Sequence, residues 1–189
     1  MDKLVIDIET SNTFAEVGGD RNLAALNVSL IGCYSYNRDE YFSFTEHTLA
    51  QFGPLLQRAG LLIGFAINRF DLPVLAKHYS FNLMSLNRLD LLEEVELATG
   101  HRISLNSLAK ANLGLEKTHA NGLEATRLYK EGKMDELRDY CLNDVKLTKE
   151  LYDLAKSRGY FIIPPRDGIG EAKKVELEIN EPLLAATLF

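Results

Sequence analysis

Apolar and polar residues alternate with two different periodicities along this chain, and these periodicities predict strands first and helices afterwards. Short apolar runs bounded by turn residues are typical of strands, and they fall at residues 4–10, 28–36, 40–44 and 61–65. Apolar residues at helical spacing predict helices at residues 48–58, 104–111, 122–130 and 134–157. Residues 89–97 fit either a short strand or the start of a helix. This order of elements is expected of a layered α/β (mixed α+β) domain.

The first predicted strand carries two acidic residues, Asp7 and Glu9, within the run Leu4-Val5-Ile6-Asp7-Ile8-Glu9-Thr10. Residues i and i+2 of a strand lie on the same face, so the two carboxylates are expected side by side. Buried carboxylates are destabilising without compensation, and a bound divalent cation is a common solution. Taken alone, an Asp-x-Glu pair is better explained by a strand end that pairs with Lys or Arg. The interpretation as a metal site therefore depends on the rest of the chain.

Two further motifs supply that context. Asn68-Arg69-Phe70-Asp71 follows the apolar run 61–65, and Tyr140-Cys141-Leu142-Asn143-Asp144 lies within the longest predicted helix. Together with the Asp-x-Glu pair, these segments resemble the three motifs of the DEDD superfamily of 3′-5′ exonucleases. The tyrosine four residues before Asp144 resembles the DEDDy branch, whereas Asp139 stands where the DEDDh branch has a histidine. The resemblance covers residues 1–160.

This resemblance implies an RNase H-like fold, with a central mixed sheet of about five strands flanked by helices. It also implies a catalytic site made of Asp7, Glu9, Asp71, Tyr140 and Asp144. In the family the carboxylates hold two metal ions: Asp7 would bridge both, and Asp71 would support one of them. Glu9 and Asp144 would hold the ion that binds the attacking water. Carboxylate oxygens suit Mg²⁺ or Mn²⁺, and two such ions can activate water and stabilise the leaving oxygen.

Tyr140 and Asp144 lie four residues apart and therefore share one face of the predicted helix. An unperturbed tyrosine titrates near pH ~10, so the phenol is expected to orient the attacking water rather than to remove its proton. The alternative is a half-buried packing residue with its hydroxyl at the surface. The four carboxylates favour the catalytic interpretation.

Four further residues are candidates for substrate binding: Thr10, Asn68, Arg102 and Lys110. In the family, residues just after the Asp-x-Glu-Thr motif line the pocket for the 3′-terminal nucleotide, although Thr10 could simply end the strand. Asn68 could bind the terminal sugar or fix the turn before Asp71. Arg102 and Lys110 lie in a region that approaches the substrate in DEDD enzymes, so they could contact phosphates or be solvated surface residues.

Composition limits the remaining possibilities. The chain has 189 residues, 46% hydrophobic and 25% charged, as is typical of a globular domain. No apolar run is long enough to cross a bilayer and no signal peptide precedes the first strand, so a cytoplasmic location is expected. Cys33 and Cys141 lack the spacing of zinc ligands and are expected to be reduced packing residues. The net charge of −6 predicts weak, salt-sensitive contact with nucleic acid.

Residues 1–160 are expected to form the exonuclease domain, and residues 161–189 a C-terminal extension that packs on the domain or on a partner. The apolar segment 181–189 is a hypothetical site for a protein partner or for self-association. The predicted activity is that of a metal-dependent 3′-5′ exonuclease, which would release nucleoside 5′-monophosphates from single-stranded DNA or RNA. Two alternatives stay open: a nucleic-acid-binding or scaffolding subunit with the same fold, and a hydrolase of very short oligonucleotides.

Overall fold

A computed structural model of the protein describes residues 1–115, 123–166 and 170–181. Its centre is a five-stranded sheet with the strand order β3-β2-β1-β4-β5. The strands are β1 (Asp2–Thr10), β2 (Val28–Ser35), β3 (Glu40–Thr45), β4 (Ala59–Gly64) and β5 (Arg88–Asp90). β1 pairs antiparallel with β2 and parallel with β4, so the sheet is mixed. The predicted fold class is confirmed.

Six α-helices lie along the part of the chain that the structure describes. They are α1 (Leu49–Arg58), α2 (Asp71–Leu75), α3 (Leu91–Thr99), α4 (Leu105–Leu113), α5 (Leu123–Lys130) and α6 (Met134–Arg158). A second sheet contains only β6 (Tyr160–Ile163) and β7 (Lys173–Glu176), which pair antiparallel. Within the described residues, none of the helices combines the length and apolar character needed to cross a membrane.

The central strand β1 is covered on both faces, because its side chains alternate between two apolar clusters. Val5 packs in one cluster with Val145 of α6. Ile6 and Ile8 pack in the other cluster with Phe52 of α1. All five side chains are almost completely buried. The face that carries Val5 is the face that also carries Asp7 and Glu9, so α6 covers the strand exactly where the acidic pair begins.

The ambiguous segment 89–97 proves to contain both elements. Arg88–Asp90 pairs with β4 as a short strand, and Leu91 begins α3. The change of structure occurs at Asp90, whose carboxylate accepts a hydrogen bond of 3.0 Å from the backbone N–H of Leu92. Such a side-chain cap satisfies a donor that the first helical turn leaves without a backbone partner.

Described residues of the segment 161–189 contact the apolar cluster beside β1 and the start of that strand. Phe161, Ile163 and Leu177 are buried in the same cluster as Val5. Glu181 forms an ion pair of 2.7 Å with Lys3 at the start of β1. The hypothesis of a docking segment at 181–189 concerns residues that lie, from 182 onwards, outside the described ranges.

Candidate active site

Strand geometry places the first two acidic residues together, as the sequence predicts. Asp7 and Glu9 project from the same face of β1, and Glu9 is 9% exposed. One oxygen of each carboxylate and the Sγ of Cys141 all lie within 4.8 Å of one another. β2 contains an irregularity opposite this point, because the pairing shifts between Glu9 and Thr10. The regular pairing of β1 with β2 is therefore interrupted directly after Glu9, and such bulges are common next to functional sites.

Helix α6 adds Tyr140 and Asp144, which are 6% and 5% exposed. The helix approaches the strand closely because β2 has a glycine, Gly32, opposite Asp7. A Cβ atom at position 32 would lie 2.8 Å from the Sγ of Cys141 and 2.9 Å from Cγ2 of Val145. Both distances are below ordinary van der Waals contact, so α6 can occupy this position only above a residue without a side chain.

Asp71 lies on a third element of the site, because it is the first residue of α2. Its Oδ1 accepts a hydrogen bond of 3.1 Å from the backbone N–H of Ile8 in β1. That N–H is available because the parallel pairing between β1 and β4 ends at Val5. The preceding loop is held by Asp90, whose carboxylate accepts hydrogen bonds from the backbone N–H groups of Ala66 and Asn68 at 2.8 and 3.0 Å.

These elements meet around one cavity of about 540 Å³. The sequence-predicted residues that line it are Asp7, Glu9, Asp71, Arg102, Tyr140 and Asp144. The structure thus brings the whole predicted catalytic set to one place. Five acidic residues line the cavity against two basic ones, so its charge favours cations.

Burial raises the pKa of the Tyr140 phenol well above its ordinary value, and the nearby charges of Glu9, Asp144 and Asp7 add to the effect. The phenol is therefore protonated throughout the neutral range. Burial likewise raises the pKa of the Cys141 thiol, again with the help of Asp7 and Glu9. The thiol is 3.6 Å from both the carbonyl oxygen and Oδ2 of Asp7. Cys141 is thus a buried, free thiol packed directly beside the acidic pair.

Burial also raises the pKa of Asp71, and the negative charge of neighbouring Asp90 raises it further. Two hydrogen bonds from backbone N–H groups, including that of Ile8, oppose the effect. A bound cation would favour the ionised form of such a carboxyl group. The donor set of the cavity consists of carboxylate oxygens, which fits hard divalent ions such as Mg²⁺ or Mn²⁺.

The candidates for substrate contact separate into two groups. Arg102 lines the cavity, and its Nε is 3.3 Å from Glu96. Thr10 lines an adjoining cavity of about 340 Å³, which also contacts Glu9. Asn68 and Lys110 line neither cavity. The Asn68 amide instead donates to Glu93 and accepts from Arg88, so its side chain holds the loop before Asp71.

Several residues at the site were not among the sequence-based candidates for binding, and Phe14, Phe70 and Arg69 are notable among them. Phe14 and Phe70 form an edge-to-face pair with ring centroids 5.9 Å apart, and both line the two adjoining cavities. Arg69 also lines the larger cavity and donates a hydrogen bond of 2.9 Å to Glu96. Glu96 therefore contacts both cavity arginines, Arg69 and Arg102. An aromatic residue in the loop after an Asp-x-Glu-Thr motif is the only sequence signal that could have indicated Phe14.

Comparison with known proteins agrees with this geometry at the level of the fold. The sequence model of the RNase H superfamily matches residues 4–156. The chain therefore belongs to the RNase H superfamily, and its fold is RNase H-like.

Among solved structures, the chain is similar to a family B DNA polymerase from the hyperthermophilic archaeon Pyrobaculum calidifontis, with a TM-score of 0.64 and 16% sequence identity. The match covers 82% of this chain and 24% of the polymerase chain. At this identity the similarity shows a shared fold and no more. None of the curated proteins matches the chain.

Proposed function

We propose that this protein is a metal-dependent 3′-5′ exonuclease of the DEDDy branch, acting on single-stranded DNA or RNA. One observation carries the proposal: β1, α2 and α6 deliver four carboxylates and a tyrosine to one cavity. The members of that set are Asp7, Glu9, Asp71, Tyr140 and Asp144. A structural role would require neither this convergence nor the burial of so many acidic groups.

The carboxylate set would hold a pair of Mg²⁺ or Mn²⁺ ions. When bound, two such ions supply an activated water and stabilise the leaving 3′ oxygen of a phosphodiester. Asp7 and Glu9 offer oxygens from one strand, and Asp144 offers them from the facing helix. Asp71 completes the set from the start of α2, with one of its oxygens fixed by the backbone of Ile8.

Tyr140 acts as a hydrogen-bond donor in this proposal. Its raised pKa excludes proton removal by the phenolate near neutral pH, because burial and three neighbouring carboxylates all favour the protonated form. A protonated phenol beside Asp144 can orient the attacking water by donating to its oxygen. The raised pKa of Tyr140 supports this orienting role in the proposal.

The two adjoining cavities support binding of a strand end. Phe14 and Phe70 lie between the carboxylates and the smaller cavity that Thr10 lines, and their rings offer apolar faces to a terminal base. Stacking of this kind needs an unpaired base, which favours a single-stranded substrate. Arg69 and Arg102 bring positive charge to the rim of the acidic cavity, where a phosphate would enter.

A direct test uses matched single-stranded DNA and RNA that carry a label at the 5′ end. The wild-type protein with Mg²⁺ or Mn²⁺ should shorten the strand stepwise from the 3′ end, and the Asp7→Asn variant should not. Asp139→Asn serves as the control, because Asp139 lies on α6 with a side chain that is 79% exposed. Cleavage of only di- and trinucleotides would favour the short-oligonucleotide hydrolase instead. Binding of either strand without any cleavage in both metals would contradict the proposal and favour the scaffolding alternative.

A further inference from the structure

A third cavity, of about 490 Å³, lies between the end of α3 and the β6–β7 hairpin. We name it the hairpin cavity. Its polar lining includes the basic side chains of His101, Arg166 and Lys173, and its apolar walls include Pro164 and Val175. None of these residues belongs to the acidic cavity, and the exonuclease proposal gives the hairpin cavity no role.

Two consecutive residues of the chain line the two cavities, one residue each. Arg102 lines the acidic cavity and His101 lines the hairpin cavity. The segment that carries them is fixed, because the hydroxyl of Thr99 donates to the carbonyl oxygens of Val95 and His101 at 2.7 and 3.0 Å. Because consecutive Cα atoms are about 3.8 Å apart, a polymer that leaves the acidic cavity past Arg102 would meet the segment that also lines the hairpin cavity.

Charge distinguishes this surface from most of the molecule. The chain has a net charge of −6, and many of its basic side chains contact an acidic neighbour, as Lys174 does with Glu176 at 2.6 Å. Among the residues that the structure describes, Arg166 and Lys173 form no such ion pair. Glu171 is the one acidic residue in the described lining of the hairpin cavity. Among the described residues, the charged lining of the hairpin cavity therefore holds Arg166 and Lys173 against one acidic side chain.

We propose that a single strand whose 3′ end enters the acidic cavity continues through the hairpin cavity, where Arg166 and Lys173 contact its backbone phosphates. This inference rests on the proposed function, since it assigns the path of the nucleotides on the 5′ side of the scissile bond. Pro164 and Val175 provide apolar surface for the bases. The pairing of basic side chains with apolar walls matches the chemistry of single-stranded nucleic acid, which presents phosphates along one side and unpaired bases along the other.

The test compares two double variants on strands of two lengths. Arg166→Ala with Lys173→Ala removes the proposed contacts. Arg58→Ala with Lys146→Ala removes the same amount of charge from exposed positions that do not line the hairpin cavity. Each protein is assayed on a labelled strand of about 20 nucleotides and on a trinucleotide.

On the long strand, the Arg166/Lys173 variant should lose about tenfold in kcat/KM through a higher KM, and on the trinucleotide less than about twofold. The slope of log affinity against log salt should fall by about 1.4, because two phosphate contacts disappear at about 0.7 each. The control variant should behave as the wild type on both lengths. Equal losses on both lengths, or an unchanged KM on the long strand, would overturn the proposed path.

Binding of the long strand to the same double variants is also measured by fluorescence anisotropy in an Asp7→Asn background, where turnover does not interfere. This arm separates the two proposals. A wild-type protein that degrades neither length contradicts the exonuclease function, while a tenfold weaker affinity of the Arg166/Lys173 variant would still support the path. Unchanged affinity would overturn the path whatever the enzymatic result. Thermal unfolding of each variant excludes a loss of folded protein as the cause.

Discussion

The pKa of an acidic group is shifted in opposite directions at the two ends of strand β1, where Glu181 is half-buried and Asp71 is buried. At the start of the strand, Glu181 contacts Lys3, Lys156 and Tyr152. Burial alone would raise the pKa of Glu181, but hydrogen bonds from these three neighbours outweigh it and lower the pKa to about 2. At the far end of the strand, burial raises the pKa of Asp71 to about 7, and the charge of Asp90 raises it further.

The opposite pKa shifts of Glu181 and Asp71 indicate that one end of the strand serves stability and the other end serves function. The carboxylate of Glu181, at the start of the strand, contacts the ammonium groups of Lys3 and Lys156, so its ionised form stabilises the fold. The carboxylates at the far end share one cavity, and the basic residues at its rim, Arg69 and Arg102, contact Glu96. Divalent cations from solution would balance the negative charge of these carboxylates, and the far end would then be a metal-binding site.

The largest expected effect comes from removing one carboxylate at the far end. Asp144→Asn should lower kcat on single-stranded substrate by about a thousandfold, equivalent to about 4 kcal/mol of transition-state stabilisation, because it removes one of the proposed metal ligands. The measurement is initial rate at saturating Mn²⁺ or Mg²⁺. Asp139→Asn, on the exposed face of the same helix, should retain the wild-type rate. Similar rates for both variants would contradict the assignment of Asp144.

A smaller loss is expected from a change that moves α6 away from the far end of β1. Gly32→Ala places a methyl group against Cys141 and Val145, so the helix must shift and the unfolding free energy should fall by about 1–3 kcal/mol. We expect kcat to fall by about tenfold as Asp144 and Tyr140 move with the helix.

Adding Cys141→Ala to this variant provides the control, because the smaller side chain makes room for the new methyl group. The double variant should recover part of both the stability and the rate. If the second substitution instead adds its own loss without any recovery, close packing at position 32 is not what positions α6.

The thermal stability of the protein should depend on both pH and divalent metal through Asp71. The folded-state pKa of Asp71 is raised from 3.8 to about 7, so its contribution to stability is fully present below pH 3.8 and is lost as the pH rises through 7. The metal-free protein should therefore lose stability between about pH 4 and pH 7 and change little above that range. Added Mg²⁺ or Mn²⁺ should raise the Tm by about 2–5 °C at pH 8 and by less at pH 5, because ions compete with protons for the carboxylates.

Thermal unfolding with and without EDTA measures this effect, and Asp71→Asn is the matching variant. The substitution should flatten the pH dependence of the metal-free protein. A metal-induced rise in Tm that is independent of pH would show that the ions bind elsewhere.

The smallest effect is expected at the start of the strand. Glu181→Gln weakens the contacts to Lys3 and Lys156 and should lower the unfolding free energy by about 0.5–1 kcal/mol at neutral pH, without changing kcat. The folded-state pKa of Glu181 is lowered, so its contribution is present above pH 4.5 and is lost as the pH falls through about 2. Acid titration of Tm should thus converge for variant and wild type at low pH. Glu178→Gln, an exposed change in the same segment, should have no effect at any pH.

The sequence predicted those features that depend on local pattern. The alternation of β1 was enough to place Asp7 and Glu9 on one face, and the spacing of four residues was enough to orient Tyr140 with Asp144. Both are direct consequences of strand and helix periodicity. The RNase H-like sheet followed from motif order and the resemblance, and the superfamily match confirms it.

Features that depend on tertiary contact were not predictable in the same way. The sequence could not distinguish a sugar contact from a structural role for Asn68, because its partners Arg88 and Glu93 lie 20 and 25 residues further along the chain. Gly32 gave no signal, because a glycine in an apolar strand shows its importance only when a helix packs above it. The assignment to the DEDDy branch stays a prediction, since the shared fold does not test the role of a tyrosine.

The hydrogen bond from Ile8 to Asp71 has an evolutionary consequence. Its donor is a main-chain group, which every amino acid except proline supplies in the same place. Replacement of the isoleucine side chain can therefore alter the apolar packing beneath the sheet while this anchor for the aspartate persists. Substitutions at position 8 are then constrained by the volume and hydrophobicity of the side chain and not by its hydrogen-bonding groups. Distant relatives can differ there without losing the hydrogen bond between strand and helix.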